Sequence, residues 1–106
     1  GILSTIYARM KPGVTLDGVR TAYEQAYRDE RFVRVLPAGV GVDIRHVKCS
    51  NYCDIQLYAD EHTGLLIVTS VIDNMVKGAA GQAIQNMNIL FGLPEETGID
   101  MIPPAF

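Results

Sequence analysis

DNMVKGAAGQAIQNMNILFGLP, residues 73–94, carries no charged side chain after Lys77, and the next one is Glu95. Wound at 100° per residue, it gathers Ala79, Ala80, Ala83, Ile84, Met87, Leu90 and Phe91 on one side, the spacing of a stripe that faces a core. The other side holds Gly78, Gly81, Gln82, Gln85, Asn86 and Ile89. A helix whose back faced water would carry Lys and Glu there, placed for i,i+4 pairing. Glycine costs a helix about 1 kcal/mol relative to alanine, so Gly78 and Gly81 predict a close approach by another part of the structure. Two readings of this back face stay open. The helix is either sandwiched between protein layers, or Asn74 and residues 77–81 present amides and N–H groups to a ligand at a helix start, where an anion is also favoured. The two are compatible.

The segment DNMVKGAAGQAIQNMN, with YARMKPGVT, DERFVRVLP and HVKCSNYCDI upstream, resembles the C-terminal part of the N-acetyl-gamma-glutamyl-phosphate reductase family of arginine biosynthesis. The likeness runs in order from about Ile2 to Pro94. More distantly, Asp73, Asn74 and Gly78 are similar to the Asp-Asn-x-x-x-Gly pattern of aspartate-semialdehyde and glyceraldehyde-3-phosphate dehydrogenases. The resemblance implies an α+β fold like the C-terminal domain of the latter. It also implies an NADP-dependent, cytoplasmic, homo-oligomeric oxidoreductase that converts an acyl phosphate to a semialdehyde through a cysteine thioester. In the family the catalytic cysteine and the acid–base histidine lie upstream of Gly1, so this chain is expected to hold no catalytic group and to be inactive alone.

The composition agrees with a folded domain. At 106 residues, 48% hydrophobic, the chain suits one domain with a real core. A net charge of −3 provides no basic footprint for nucleic acid. No apolar run reaches the roughly 18 residues of a membrane span, and no charged then apolar leader opens the chain. Gly1 runs straight into the strand-like ILSTIYARM, which reads as a cut, and the resemblance implies a longer enzyme that also has a nucleotide-binding domain.

Residues 2–10 alternate Ile2, Ser4, Ile6, Ala8, Met10 against Leu3, Thr5, Tyr7, Arg9, which predicts a strand. Thr15 is placed to cap a helix whose Leu16, Val19, Tyr23, Ala26 and Tyr27 recur at helical spacing. Residues 32–36, stopped by Pro37, predict an edge strand, and residues 43–50 read as extended. Residues 52–60 alternate as a half-buried strand, the loop 61–64 closes a hairpin, and residues 65–72 are apolar on both sides and so central. The order β-α-β-β-β-α predicts a mainly antiparallel sheet with helices over one face. By the resemblance, residues 1–94 are expected to form the substrate and dimerisation portion, ending in the helix that packs on the nucleotide-binding domain, and residues 95–106 an irregular tail.

Three groups are candidates for chemistry. Cys49 and Cys53 stand four apart, a separation of about 13 Å in a regular strand, with no second Cys/His pair to complete a zinc site. Cys53 shares the face of Ile55 and Leu57 and reads as core, whereas Cys49 stands where the family more often has glycine. No metal is expected. Arg45, His46 and Lys48 form a cationic cluster suited to a carboxylate or phosphate, or a solvated strand edge. In the related dehydrogenases the asparagine matching Asn74 bonds the nicotinamide carboxamide, while asparagine is also a good helix cap. The cofactor-side set is therefore Asn74, Lys77, Gly78, Gly81 and Gln82. The rival class is a non-catalytic self-association module of the same ancestry, and the third reading is another semialdehyde dehydrogenase.

Overall fold

β-Branched and aromatic residues in alternation form strand β1 (Ile2–Arg9), and the turn at Gly13 passes the chain to helix α1 (Leu16–Tyr27). Thr15 starts that helix as expected: its hydroxyl accepts a bond from the Gly18 N–H at 3.1 Å. Strand β2 (Val33–Val35), strand β3 (Cys53–Asp60), strand β4 (Leu65–Ile72) and helix α2 (Gly81–Leu90) follow in order. The computed structural model describes residues 1–105; of the irregular tail, Phe106 lies outside the described residues.

The sheet order is β1-β4-β3-β2, so β4 is indeed central and β2 an edge. Both pairings of β4 are antiparallel, joined on one side by a hairpin in which the Asp60 carboxylate accepts from His62 N–H and Thr63 hydroxyl. The expectation of a mainly antiparallel sheet needs one correction, because β2 runs parallel to β3 and the sheet is mixed. The long connection through residues 36–52 makes this possible, since a parallel neighbour needs a crossover that a tight turn cannot supply.

Register fixes the core. Leu57 faces Val68 and Ala59 faces Leu66 across β3 and β4, and α1 lies over that face with Leu16, Val19 and Tyr23. Ile55, Leu57, Leu66 and Val68 are the buried cluster, with Cys53 packed beside it as expected of a core cysteine. Each such side chain contributes about 1.5–3 kcal/mol of burial. β1 has no such cover: every residue in it is exposed, including Ile2, Leu3, Ile6 and Tyr7.

Residues 43–50 are not extended. A 3-10 turn at Ile44–His46 is started by the Asp43 carboxylate, which accepts from the Arg45 N–H at 2.8 Å. Past the short β2, Arg20 of α1 fills the notch beside β3, donating to the carbonyls of Leu36 and Leu57 and to Gln56 Oε1. The buried Gln56 amide donates in turn to the carbonyls of Pro37 and Val40, so this loop is pinned by backbone acceptors that a longer β2 would have used.

The largest departure lies in residues 73–94. Apart from the half-buried Ile84, the apolar stripe expected to face a core faces outward: Ala79, Ala80 and Ala83 are exposed, as are Met87 at 46%, Leu90 at 82% and Phe91 at 77%. The inward residues of α2 are Gly81, Gln85 and Asn88, at i, i+4 and i+7. They meet a polar loop and the tail rather than the sheet. Asn88, 1% exposed, donates both amide hydrogens, to the carbonyls of Glu95 and Thr97, each at 3.0 Å. That fixes a tail whose Ile99 is 2% exposed.

Candidate functional site

Asp73 and Asn74 divide their work differently from the sequence expectation. Asp73 is the cap: its Oδ1 accepts from the N–H groups of Met75 and Val76 at 2.8 and 2.9 Å. Its Oδ2 accepts from the Cys49 N–H at 2.8 Å. Asn74 takes no part in this capping and its side chain is exposed. Cys49 has φ +57°, a left-handed conformation that glycine adopts at no cost and other residues adopt at about 1–2 kcal/mol. The departure from glycine at this position is thus held in place by Asp73.

A π-helical turn, Val76–Ala80, follows the cap, with Gly78 N–H bonded to the Asp73 carbonyl and Ala80 N–H to the Met75 carbonyl. Such a turn inserts one residue relative to an α-helix and shifts the phase of everything after it by about 100°. It ends at Gly81, which is buried against Asn51. Asn51 is fully buried, and its Oδ1, without a hydrogen-bond donor, lies over Gly81 where only a Cα–H fits. Its Nδ2 donates to Gln85 Oε1 at 2.9 Å. The same oxygen receives Lys77 Nζ at 2.7 Å, and Gln85 Nε2 donates to Glu95 Oε2 at 2.9 Å.

Of the cofactor-side candidates, Asn74, Gly78 and Gln82 are exposed, Lys77 is half-buried and tied to Gln85, and Gly81 serves packing. The close approach expected at both glycines is found at Gly81 alone. Asn51, Asp73 and Gln85 were not candidates; of the three, only Gln85 lay among the amides on the charge-free side of the helix.

Burial draws the Asp73 carboxyl upward, but the N–H groups of Cys49, Val76 and Met75 outweigh it and hold the group below its usual value. A carboxyl depressed in the fold adds stability in full above the unfolded value, and that stability is lost as pH falls through the folded value. Asp73→Asn is therefore expected to lower the melting temperature at pH 7 and to lose that deficit progressively in acid, well below pH 4. Thermal melts from pH 7 to 2 check this. A deficit that stays constant across the range contradicts it.

Arg45 and His46 line a cleft of about 590 Å³ with Arg34, Leu36, Asp54 and the tail residues Pro103, Pro104 and Ala105, and Lys48 does not contribute to its wall. Neither arginine is free. Arg34 donates Nε and Nη2 to the buried Asp54 carboxylate at 2.6 and 3.1 Å, and its guanidinium stacks 4.1 Å from the Tyr52 ring centre. Arg45 chelates Asp43, whose carboxyl its guanidinium hydrogen bonds bring down to about 2. The cleft is therefore close to charge-balanced. Cys49 is exposed and Cys53 half-buried, and both are free thiols. No helix among the described residues is long and apolar enough to cross a membrane.

The family described as semialdehyde dehydrogenase, dimerisation domain, matches residues 1–74, which takes in β1 through β4 and ends on Asn74. The chain belongs to this family. Its α+β architecture is that of a semialdehyde dehydrogenase dimerisation domain, consistent with a glyceraldehyde-3-phosphate dehydrogenase C-terminal-like fold. Over nearly its whole length it is similar to curated N-acetyl-gamma-glutamyl-phosphate reductases. That of Desulforapulum autotrophicum is 56% identical over 105 residues, 99% of this chain. Those of Brachyspira hyodysenteriae and Desulfotalea psychrophila are 54% and 53% identical over 100% and 97% of it. The chain spans about 30% of the length of these relatives. The family match stops before α2, while the similarity to the reductases continues through it.

Proposed function

We propose that this domain is the C-terminal portion of an NADPH-dependent N-acetyl-gamma-glutamyl-phosphate reductase, a cytoplasmic homo-oligomer that reduces the acyl phosphate to a semialdehyde in arginine biosynthesis. The observation that carries this reading is the 56% identity extending across 99% of the chain, α2 included. The domain's share of the work is assembly and placement. The uncovered strand β1, with Leu3, Ile6 and Tyr7 exposed at 52–64%, is the self-association surface that the family's description calls for. The outward stripe of α2 is where the nucleotide-binding part of the polypeptide rests.

The donor set fits a nicotinamide. Asn74 is exposed and relieved of capping by Asp73, so its amide is free to offer both a donor and an acceptor to a carboxamide. Gly78 and Gln82 lie exposed on the same turn and helix. NADPH supplies the hydride when bound. Asn74 orients the carboxamide, Gln82 adds a second amide, and Lys77 keeps a positive charge at the turn. On the substrate side, Arg45 and His46 at the cleft, with Lys48 nearby, are proposed to face the substrate's carboxylate.

The test is a chimera in which this chain replaces the matching segment of the Desulforapulum autotrophicum reductase. It is expected to reduce N-acetyl-gamma-glutamyl phosphate with NADPH, and Asn74→Ala is expected to lower kcat/KM by about tenfold or more. The chain alone is expected to turn over nothing. An inactive chimera, or one that prefers aspartyl phosphate, contradicts the assignment.

A further inference from the structure

A single carboxylate, that of Asp73, ties the turn at Asn74 to the loop that carries Arg45, His46 and Lys48. Its Oδ1 accepts from the N–H groups of Met75 at 2.8 Å and Val76 at 2.9 Å, so hydrogen-bonded rings close around the backbone of Asn74, which lies between acceptor and donors. Its Oδ2 reaches a segment 24 residues upstream. The Cys49 N–H that it accepts projects from a turn closed by the Ser50 N–H on the Val47 carbonyl at 3.0 Å, with Lys48 and Cys49 at the centre. Cys49, at φ +57°, holds the third position of that turn, where a positive φ calls for glycine. Val47 is fully buried and closes the preceding 3-10 turn through its N–H on the Ile44 carbonyl, so residues 44–50 form one hydrogen-bonded hook. The hook lies at the end of the sheet where β4 passes into Asp73: a Cβ on Gly1 would stand 3.0 Å from Ile44 Cβ and 3.3 Å from the Ile72 carbonyl oxygen.

We infer that Asp73 is a positioning residue for two sites at once, its Oδ1 setting Asn74 for the nicotinamide and its Oδ2 holding the 44–50 hook for the substrate. This rests on the reductase reading above, in which Asn74 meets the cofactor and Arg45 and His46 the substrate. Asp73 acts through these two segments rather than by touching either reactant. The two roles are separable, because two N–H groups hold Oδ1 and one holds Oδ2. Asparagine has one accepting oxygen and a nitrogen that only donates. In Asp73→Asn the oxygen therefore stays on the two turn amides, as an ordinary cap, and the nitrogen sets donor against donor at Cys49. Without its acceptor, Cys49 leaves a conformation that glycine holds at no cost, and the hook shifts with it.

The chimera reads the two oxygens separately. In Asp73→Asn the KM for N-acetyl-gamma-glutamyl phosphate is expected to rise by about tenfold, while NADPH affinity, followed by cofactor fluorescence, stays within about twofold of the parent. Asp73→Ala removes both acceptors and is expected to weaken both by about tenfold. Adding Cys49→Gly to Asp73→Asn is expected to recover most of the lost substrate affinity, because glycine keeps the left-handed turn without a tether. Hydrogen exchange at the Ser50 amide should rise in Asp73→Asn and return in the paired variant, with the Met75 and Val76 amides protected in both. A general loss of fold would fall on both substrates alike. Equal losses toward the two in Asp73→Asn, or no recovery on adding Cys49→Gly, therefore overturn the inference while leaving the reductase assignment standing. An inactive unsubstituted chimera removes the assignment and this inference together.

Discussion

Gly81→Ala is expected to destabilise the domain by about 1–3 kcal/mol, whereas Gly78→Ala, three residues earlier, is expected to stabilise it by about 0.5–1 kcal/mol. Gly81 has φ −64° and ψ −42°, values that any residue adopts, so glycine is required there for room and not for backbone freedom. A Cβ at this position would fall on Asn51 Oδ1 and within 2.6 Å of both Cγ1 and the carbonyl oxygen of Val76. That carbonyl accepts the Gly81 N–H in the π turn, and Asn51 is fully buried, so neither neighbour can yield cheaply. At Gly78 a Cβ would find Asn74 Oδ1 and the Asp73 carbonyl at 3.4 Å and Ile72 Cδ1 at 3.5 Å, all ordinary contact distances. There alanine removes the entropy cost of glycine and adds contact. Urea unfolding of the two variants beside the parent measures both signs, and two glycines that respond alike would show that the Asn51 contact does not govern the turn.

That contrast also marks where the sequence stops being readable. The two glycines look equivalent in GAAG, and both were expected to sit under a close neighbour. Only the three-dimensional position of Asn51, some thirty residues away in the chain, separates them. The strands were legible because their period-two patterns are local: β1, β3, β4, their hairpin and the edge position of β2 all lie where the alternation and Pro37 put them. Helix α1 was legible down to its Thr15 cap. Helix α2 was legible as a helix but not as to its facing. An apolar stripe predicts burial against something, and among the described residues nothing covers Met87, Leu90 or Phe91, while the amides Gln85 and Asn88 find polar partners in the loop and tail. The 3-10 turn at residues 44–46 was missed because the β-branched Ile44 and Val47 between charged neighbours suggested an extended segment, whereas the deciding contact is the Asp43 carboxylate on the Arg45 N–H. Of the candidate site, Asn74 was singled out by the resemblance and the Arg45–His46 pair by residue type. The network behind them was not, since a hydrogen bond between residues 51 and 85 leaves no periodic trace.

Arg34→Met is expected to cost the most, about 3 kcal/mol, from a pair that sequence alone gave no means of seeing. The parallel register of β2 and β3 sets Arg34 opposite Asp54, and the Asp54 side chain is 2% exposed. Its two oxygens receive Nε and Nη2 of Arg34, which also donates to the His46 carbonyl. Removing the guanidinium leaves a carboxylate in the interior with neither counter-charge nor donors, a change worth about 3–5 kcal/mol in buried pairs. The lower end applies here, because the Arg34 side chain is 40% exposed and water can reach the vacated edge. Changing the other partner is milder: in Asp54→Leu the arginine keeps the Tyr52 ring and the His46 carbonyl. The double variant Arg34→Met with Asp54→Leu is expected to regain most of the loss, since an apolar pair of similar volume needs no solvation. Chemical denaturation of the four proteins gives the coupling energy directly. An Arg34→Met variant within about 1 kcal/mol of the parent would mean that Asp54 is solvated rather than buried. The cleft wall that these two residues form beside Arg45 and His46 would then be open to water.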